Sequence, residues 1–474
     1  MATVVSGSRF ATAVATAALA AGGCAPELRL EPAPVLESAE WSAAAPEGGD
    51  VPAAPLGALF ASPELAALTE RALERNADVR IAEARVAQAA ALLRSARQSV
   101  LPDVSLSASG SRERQLGSAL PDFRQAFAQI DIELDLDLFG KLRAERGAAL
   151  ARTRAAELEG DAVRLAVESD VAAAFVQRAA LARRMEILDA SIARAVELER
   201  IIRVRVEEGA ATRVDLGLQS IRLLDLRAER SRLAEALDQT RTALALLAGE
   251  EAPSFAVAPG RLGDLARPAL APPPPAVLLA ARPDIAAAEA LIAAAEGDVR
   301  AARASFFPQL SVGLGGVADL LTGSLGRSVT LGSALLAPIF SRGRLEGDFA
   351  YASAVQVEAV ERYRLAILAA LKQTEDARSA IDRSAERARL LDAVVAEAGT
   401  TARLANLRYI EGEQDLGSVL DAQDLLTDAE DAQVLAAQEE LFARIALYRA
   451  AGGSRAGTLA AAPDAPPRLS YRPL

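Results

Sequence analysis

The chain has 474 residues, a formal net charge of −12, no histidine and a single cysteine, Cys24. The acidic balance argues against nucleic acid as a partner. The lack of histidine and of a second cysteine removes the commonest general base, most zinc sites and any internal disulfide. We therefore expect a protein that is not an enzyme and that holds no cofactor and no metal. Alanine is abundant and only 4% of the residues are aromatic, which favours extended helices over a compact α/β core.

Residues 1–23 have the features of a secretory signal peptide, with Arg9 ahead of an apolar run from Phe10 to Ala21. The small residues that directly precede Cys24 are similar to a bacterial lipobox, in which the cysteine is acylated and becomes the mature N-terminus. Ala21 stands where that motif usually has leucine. We predict lipidation at Cys24, with a plain signal peptide and an incidental cysteine as the alternative.

A helix is predicted to begin at Pro63 with Ser62 as its N-cap. It runs, with a break at Asn76, as far as Leu101, where Pro102 stops it. Apolar residues then alternate with serines from residue 104 to 109, which indicates a first strand.

The clearest strand signal lies between Ile130 and Leu138, where apolar and acidic residues alternate without interruption. This period of two gives one apolar and one polar face. If the apolar row faces lipid, the acidic row lines a water-filled interior. Its members are Asp131, Glu133, Asp135 and Asp137. A calcium site is the less favoured alternative, because acids on one strand face lie about 6.6 Å apart without a turn to wrap the ion.

A proline-free segment after Gly140 predicts a long helix from Lys141 to Val206, with the apolar spacing of a coiled coil. The chain reverses at Gly209, which suits a left-handed C-cap, and Thr212 suits the N-cap of a helix that resumes to about Leu247. A connector rich in proline and glycine follows.

The chain then repeats itself. Residues 78–102 align without gaps on residues 284–308, with 11 of 25 positions identical. A second pair of strands, a second long proline-free segment and a second reversal at Gly412 follow in the same order. The predicted organisation is a signal peptide (1–23), an acylated leader (24–62), a first repeat (63–249, β-hairpin about 103–139), a proline-rich linker (250–275), a second repeat (276–451, β-hairpin about 309–340) and a flexible C-terminal tail (452–474).

The predicted fold class is mainly α with a small membrane β part, internally duplicated. Beyond Leu30 no run reaches the roughly 18 to 20 apolar residues of a membrane-spanning helix, so a membrane crossing would need a β-barrel. Four strands per chain cannot enclose a wet lumen, because about eight strands already fill their own interior. Closure therefore requires several chains, and three would supply twelve strands.

Three stretches carry a family resemblance: residues 278–289 (LLAARPDIAAAE), 137–143 (DLFGKLR), and 409–412 (YIEG) followed by 419–423 (VLDAQ). They resemble the motifs of TolC-like outer-membrane factors, over roughly residues 60 to 450, and the predicted lipid anchor is similar to the lipoprotein branch that serves resistance-nodulation-division pumps. The resemblance implies a homotrimer in outer-membrane lipid, a twelve-stranded β-barrel and a long periplasmic α-helical barrel. It further implies a passive exit duct that works with a periplasmic adaptor and an inner-membrane efflux pump.

The resemblance also implies a gate at the hairpin tips, made by hydrogen bonds between the hairpins and by acids on the second one. Counted from Gly209 and Gly412, Asp215 and Tyr409 occupy positions that make such bonds, and Asp421 is one of the acids. The same tips would dock the adaptor.

Two departures from the family pattern bear on this gate. The other constricting acid of the family is Ser418 here, and a basic residue found after the second glycine is Gln414. Asp215 also fits a capping pair with Thr212, which is compatible with a gate role. The alternative to the whole interpretation is a periplasmic or secreted coiled-coil scaffold without a pore. Two-faced strands favour the channel.

Overall fold

The computed structural model describes residues 26, 41, 50–113, 123–258, 260–319, 328–338 and 341–460. Cys24, the predicted signal peptide, most of the leader and residues 461–474 lie outside this part. The helices are α1 (Leu56–Leu59), α2 (Pro63–Arg75), α3 (Ala77–Gln98), α4 (Lys141–Glu207), α5 (Arg213–Ala248), α6 (Pro275–Ala281), α7 (Pro283–Ala304), α8 (Arg342–Glu411), α9 (Leu416–Ala451) and α10 (Arg455–Ala460). The strands are β1 (Asp103–Glu113), β2 (Phe123–Leu136), β3 (Gln309–Asp319) and β4 (Ser328–Leu336). The mainly helical fold class with a small sheet is therefore confirmed.

The contacts of the chain divide it into two compact units. The first includes Ala84–Leu158 and Ala286–Ala366, and the second includes Leu36–Glu83, Glu159–Ile285 and Ile367–Leu474. Among the described residues, no helix combines the length and apolar character that crossing a membrane requires.

The first unit contains one antiparallel sheet with the strand order β1-β2-β3-β4. Residues paired directly across neighbouring strands share a face, and Asp131 pairs with Ser105 and with Gly315. The opposite face is mainly apolar, with Ser333 and Arg112 as polar exceptions, and it carries Val104, Leu106, Ile130, Ile132, Leu134, Leu136, Leu310, Val312, Leu314, Val329, Leu331 and Leu335. Leu106 and Leu331 are more than three-quarters exposed, so a single chain leaves this face uncovered.

Two predicted element ends were wrong by a few residues. Helix α3 ends at Gln98, not Leu101, because the residues that lead into Pro102 are disfavoured in helical geometry. Strand β2 ends at Leu136, not Leu138, because Asp137 turns to bind the start of α4. The predicted end of the second hairpin, Phe340, lies outside the described residues.

The two copies of the sequence repeat adopt the same local structure. Helices α3 and α7 have 22 residues each; Ala77 corresponds to Pro283 and Gln98 to Ala304, an offset of 206 at both ends. Two strands, a long helix, a sharp turn and a helix of 36 residues follow each of them.

The second unit is built around a core that includes Phe175 of α4, Leu244 of α5 and Leu441 of α9. Glu168 reaches this core, where its carboxylate accepts hydrogen bonds from the Leu56 backbone N–H (3.0 Å) and the Tyr448 hydroxyl (3.0 Å). Burial raises the pKa of Glu168. The predicted N-cap is confirmed, since the Ser62 side chain accepts from the Leu65 N–H.

Glycines in the left-handed conformation end helices α5 and α9, at two points where another segment of the backbone comes close. Gly249 has φ 66° after α5, and Gly452 has φ 90° after α9. A Cβ on Gly249 would lie 2.3 Å from the carbonyl oxygen of Arg75, and one on Gly452 would lie 2.9 Å from that of Ala281. Both conformation and space therefore require glycine here.

Each close approach is held by a side chain at equivalent positions in the two copies. Asn76 lies between α2 and α3, at the predicted break in the helix. Its Nδ2 donates to the Leu247 carbonyl oxygen (2.9 Å). Arg282, the counterpart of Asn76, donates from Nη1 to the Ala450 carbonyl oxygen (3.0 Å). The duplication has kept the contact and changed the side chain that makes it.

Gly249→Ala should lower the free energy of unfolding by roughly 3 kcal/mol or more, because a left-handed alanine costs about 1–2 kcal/mol and the Arg75 backbone must also move. Gly209→Ala is the matched control, since Gly209 has φ 75° but no atom within 4 Å of the place that a Cβ would occupy. The Gly209→Ala substitution should lower the free energy of unfolding only by the cost of a left-handed alanine, about 1–2 kcal/mol. Denaturant midpoints of the helical circular dichroism signal compare the two, and equal losses would contradict the crowding.

Candidate functional site

The first helical hairpin, α4 and α5, reverses through a turn centred on Gly209. Gly209 has φ 75°, its N–H donates to the Val206 carbonyl (3.2 Å), and the Ala210 N–H donates to the Arg205 carbonyl (2.7 Å). This pair of bonds is the Schellman motif, and it confirms the predicted left-handed C-cap.

The second hairpin, α8 and α9, reverses in the same way. Gly412 has φ 81°, its N–H donates to the Tyr409 carbonyl (3.1 Å), and the Glu413 N–H donates to the Arg408 carbonyl (2.9 Å). Helix α9 then starts at an Asp415 N-cap, whose carboxylate accepts from the Ser418 N–H (3.0 Å). The Ser418 backbone and hydroxyl donors hold the pKa of Asp415 below its ordinary value.

Two arginines of the first hairpin contact the second hairpin near the tips. Arg205 donates to the Ile410 carbonyl oxygen (3.1 Å), and its guanidinium lies 4.6 Å from the centre of the Tyr409 ring. Arg222 donates to the Leu420 carbonyl oxygen (3.1 Å) and forms an ion pair with Asp424. Both bind a main-chain carbonyl of the other hairpin, which fixes the two tips side by side.

An apolar cluster lies beside these contacts and draws on all four hairpin helices. Its buried members are Leu198, Ile202, Ala402, Ala405, Tyr409, Leu416, Val419 and Ala422, and Leu216 packs against them. The two hairpins therefore share one core at their tips.

The three residues predicted for the gate have different surroundings. Tyr409 is buried, and its hydroxyl makes no hydrogen bond within the described part of the chain. Asp215 forms the capping box, with its Oδ2 accepting from the Thr212 N–H and hydroxyl (2.8 Å each). Asp421 is exposed on α9. The capping role of Asp215 is confirmed, and the gate roles stay predictions.

The acidic row of β2 divides at the end of the strand. Asp131, Glu133 and Asp135 lie on the polar face of the sheet, and Gln129 donates to Asp131 (2.9 Å). Asp137 instead lies in the turn before α4. It accepts from the backbone N–H groups of Leu142 (3.1 Å) and Arg143 (3.0 Å) and forms an ion pair with the Arg143 guanidinium.

Burial raises the pKa of Asp137, but the backbone donors of Arg143 and Leu142 and the Arg143 guanidinium outweigh it, so that the pKa lies below its ordinary value. The second copy has Pro338 where the first has Asp137. This capping acid thus belongs to one repeat alone.

The model of the family described as "Outer membrane efflux protein" matches residues 68–250 and 275–453. The chain belongs to this family. It is therefore an outer-membrane channel component of an efflux system, from a family of transport channels. The two matched segments each include one β-hairpin and one helical hairpin.

Individual relatives agree with the family assignment. The pyoverdine export outer membrane protein OpmQ of Pseudomonas putida is 33% identical over 407 residues, which are 83% of this chain and 87% of the relative. The outer membrane protein OprJ of Pseudomonas aeruginosa is 30% identical over 469 residues, 94% of this chain and 96% of the relative. A crystal structure of a membrane protein from Pseudomonas aeruginosa has a TM-score of 0.80 at 28% identity, covering 90% of this chain and 100% of that one.

The sequence gives no direct sign of the arginines that join the hairpins. Arg205 and Arg222 are two of many arginines on long amphipathic helices, and their partners lie about 200 residues further along the chain. The one local signal is that Arg205 lies a single turn before Gly209.

Asp137→Asn should lower the free energy of unfolding by about 1 kcal/mol at pH 7, because the neutral amide replaces an ionised capping group. The pKa of Asp137 is lower in the folded chain than in the unfolded chain. The stability that its ionised carboxylate contributes is therefore complete above the ordinary pKa of 3.8, and it is lost as the pH falls through the pKa of the folded chain. In denaturant titrations at a series of pH values, the difference between the two proteins should therefore narrow as the pH falls below 3.8.

Asp348→Asn is the control, because it removes the partner of Arg344, the counterpart of Arg143, from an exposed pair within one helix. That pair should be worth less than about 0.5 kcal/mol. A pH-independent effect of Asp137→Asn would contradict the capping role.

Proposed function

We propose that three copies of this chain form a passive exit duct through the outer membrane for small molecules, which an inner-membrane efflux pump delivers with a periplasmic adaptor. The observation that carries the proposal is the pair of long helical hairpins, with matched glycine turns, in a chain that also presents a two-faced sheet. The pump supplies the energy, and this chain supplies the conduit.

The sheet supports a closed assembly of several copies. Within the described residues, β1 pairs only with β2 and β4 only with β3, so each has an edge with unused main-chain donors and acceptors. Such edges have no partner in lipid unless another strand supplies it. Three chains with four strands each would pair every edge and leave room for water inside.

The lipid anchor belongs to the same proposal. Acylation of Cys24 would attach the mature N-terminus to outer-membrane lipid, and two or more acyl chains are enough for stable attachment. The mass of the mature N-terminal peptide tests this part independently of the channel.

We propose that the pump, and not the duct, selects the cargo. The name of OpmQ states pyoverdine export, whereas that of a toluene efflux pump protein from the same species, which is 28% identical, states a small apolar solvent. Relatives with such different cargoes share the length of this chain, which favours a duct wall without a specific ligand pocket. The adaptor would dock at the hairpin tips that Gly209 and Gly412 define.

The gate of this duct would be held by contacts between the two hairpins, with Asp215, Tyr409 and Asp421 at the constricted end. Arg205 is the strongest candidate among the described residues, because both of its contacts cross from one hairpin to the other and, unlike Arg222, it lies in the last helical turn before the tip. A hydrogen bond from a charged donor is worth about 1.5–3 kcal/mol and an exposed cation–π contact about 0.5–1 kcal/mol. Three copies acting together would shift the balance of closed and open states by several kcal/mol.

Arg205→Gln should therefore raise single-channel conductance in planar bilayers and the sensitivity of cells to large antibiotics such as vancomycin. Tyr409→Phe should have a smaller effect, since it keeps the ring under Arg205. Arg203→Gln is the matched control: it removes the same charge two residues away, from a pair with Glu199 on the same helix. Closed-state conductance that is unchanged in Arg205→Gln would show that another contact holds the tips shut.

The acids of β2 would make the passage favour cations. Asp131, Glu133 and Asp135 share the polar face of the sheet, and three copies would place nine carboxylates around one passage. The triple variant Asp131→Asn, Glu133→Gln, Asp135→Asn should move the cation-to-anion permeability ratio towards one, as measured by reversal potentials in a salt gradient. Asp137→Asn should change it little, because Arg143 already neutralises that carboxylate. A ratio that the triple variant leaves unaltered would rule the ring out.

A further inference from the structure

A side chain of α7 holds the start of the leader. Arg303 donates from Nε to the carbonyl oxygen of Pro26 (3.0 Å), although the two residues are 277 positions apart in the sequence. Both residues belong to the first compact unit, and both are partly buried. Because the guanidinium is charged, a hydrogen bond of this kind is stronger than one between neutral groups. The leader is therefore fixed at a defined point of the fold.

Arg303 projects from a part of the fold that aromatic contacts hold in place. It lies in the last turn of α7, six residues before the first residue of β3. In the segment between the two elements, Phe306 packs edge-to-face on Phe349 of α8, with 6.4 Å between the ring centres. Phe307 stacks on Phe139, which directly precedes the turn into α4, at 4.7 Å. A side chain on a rigid junction of this kind can fix the position of the group that it binds.

The corresponding arginine of the first repeat makes no such contact. Arg97 lies in the last turn of α3 and is the counterpart of Arg303, at the offset of 206 that relates α3 to α7. Its side chain is exposed, and within the described residues it forms neither a hydrogen bond nor an ion pair. Both repeats thus have an arginine at this helix end, and the described contact with the leader lies in the second repeat. Arg97 is therefore a matched control for Arg303.

Pro26 lies two residues after the cysteine that the proposed function acylates. Consecutive Cα atoms are 3.8 Å apart, so two peptide units span at most about 7.6 Å. A leader that is fixed at Pro26 therefore keeps Cys24 close to the end of α7. The first residues of the adjoining strand on the apolar face of the sheet are Leu310 and Val312.

We propose that Arg303 is a positioning residue for the lipid anchor: it fixes the leader two residues after Cys24, so that the acyl chains enter lipid beside the start of β3. The inference rests on the proposed acylation of Cys24 and on the proposed contact of the sheet with lipid. Acyl chains on a free tether add only membrane affinity. Acyl chains at a fixed place also cover a defined part of the apolar face.

Spin labelling tests this role in the full-length, lipidated protein. Acylation consumes the thiol of Cys24, the only cysteine of the chain, so Glu27→Cys provides one free thiol for a nitroxide label. This label, directly after Pro26, should give an immobilised EPR spectrum. Arg303→Leu removes the charged donor and should raise the ratio of mobile to immobile label about ten-fold or more. With a second label at Leu310→Cys, the distribution of distances between the labels should be narrow in the parent and broad in Arg303→Leu.

Two further variants separate the contact from a general effect of substitution. Arg303→Lys keeps a charged donor and should restore most of the immobile component, whereas Arg97→Leu should leave the spectrum as it is in the parent. The only tryptophan, Trp41, reports on the rest of the leader, since its Nε1 donates to the Pro273 carbonyl oxygen (2.8 Å). Its emission maximum should be the same in all variants. A red shift in Arg303→Leu would mean that the whole leader is released, and it would overturn the local role.

Mass spectrometry of the N-terminal peptide reports acylation separately from the position of the leader. Acylated protein whose label is mobile in the parent, or is as immobile in Arg303→Leu as in the parent, would overturn the role of Arg303 and leave the proposed anchor standing. Equal loss of the immobile component in Arg97→Leu would also overturn it. An N-terminus without acyl chains would overturn the anchor itself.

Discussion

Apolar surface that one copy of the chain cannot bury is the constraint on which most of this structure depends. One face of the four-stranded sheet is mainly apolar and is left partly to fully exposed, with Leu106 and Leu331 more than three-quarters accessible. At roughly 25 cal/mol per Å², leaving such a face in water is costly, and lipid removes that cost without any protein partner. The exposed apolar residues near the hairpin tips, such as Leu218 of α5 and Leu407 of α8, are different, because they are few and lie among charged residues, which suits another protein surface better than lipid.

Local chemistry explains why much of the fold was predictable. The alternation in β2, the Ser62 N-cap, the break at Asn76 and the glycine turns at Gly209 and Gly412 each depend on residues within about five positions of one another. Their geometry is fixed by backbone sterics and short-range hydrogen bonds, which a sequence states directly. The family motifs then added the channel function, which periodicity alone does not contain.

Long-range contacts explain what could not be predicted. Arg205 meets Ile410, and Arg222 meets Leu420, across about 200 residues. Many arginines on these helices have similar local surroundings, so that helix packing alone decides which of them bind carbonyls of the other hairpin. Asp137 shows that contacts closer in the chain can also escape prediction. Its place in the alternating row predicts a strand residue, but its hydrogen bonds to the first residues of α4 outweigh one more pair of residues in the sheet.

The two copies of the repeat show which of these features the fold needs. The left-handed glycines recur with the same close approaches, at Gly249 and Gly452, because neither the conformation nor the space admits a side chain. Two of the polar groups that make local contacts do not recur. Asn76 corresponds to Arg282, and Asp137 to Pro338. A single polar contact is worth about 1 kcal/mol and can be replaced by another of different chemistry, whereas a side chain 2.3 Å from the Arg75 carbonyl oxygen cannot be accommodated.

The difference between glycines that cannot be replaced and polar contacts that can also bears on the proposed gate. Symmetry multiplies any contact at the tips by the number of copies, so each contact can be weak and still hold the channel closed. Weak contacts are the ones that sequences exchange, and Ser418 and Gln414 stand where the family resemblance leads us to expect an acid and a base. The glycine turns at the tips are present in both copies of the repeat, at Gly209 and Gly412. For this reason the position of the proposed gate is a firmer expectation than its individual residues, and Arg205 is a better first test here than any position transferred by alignment.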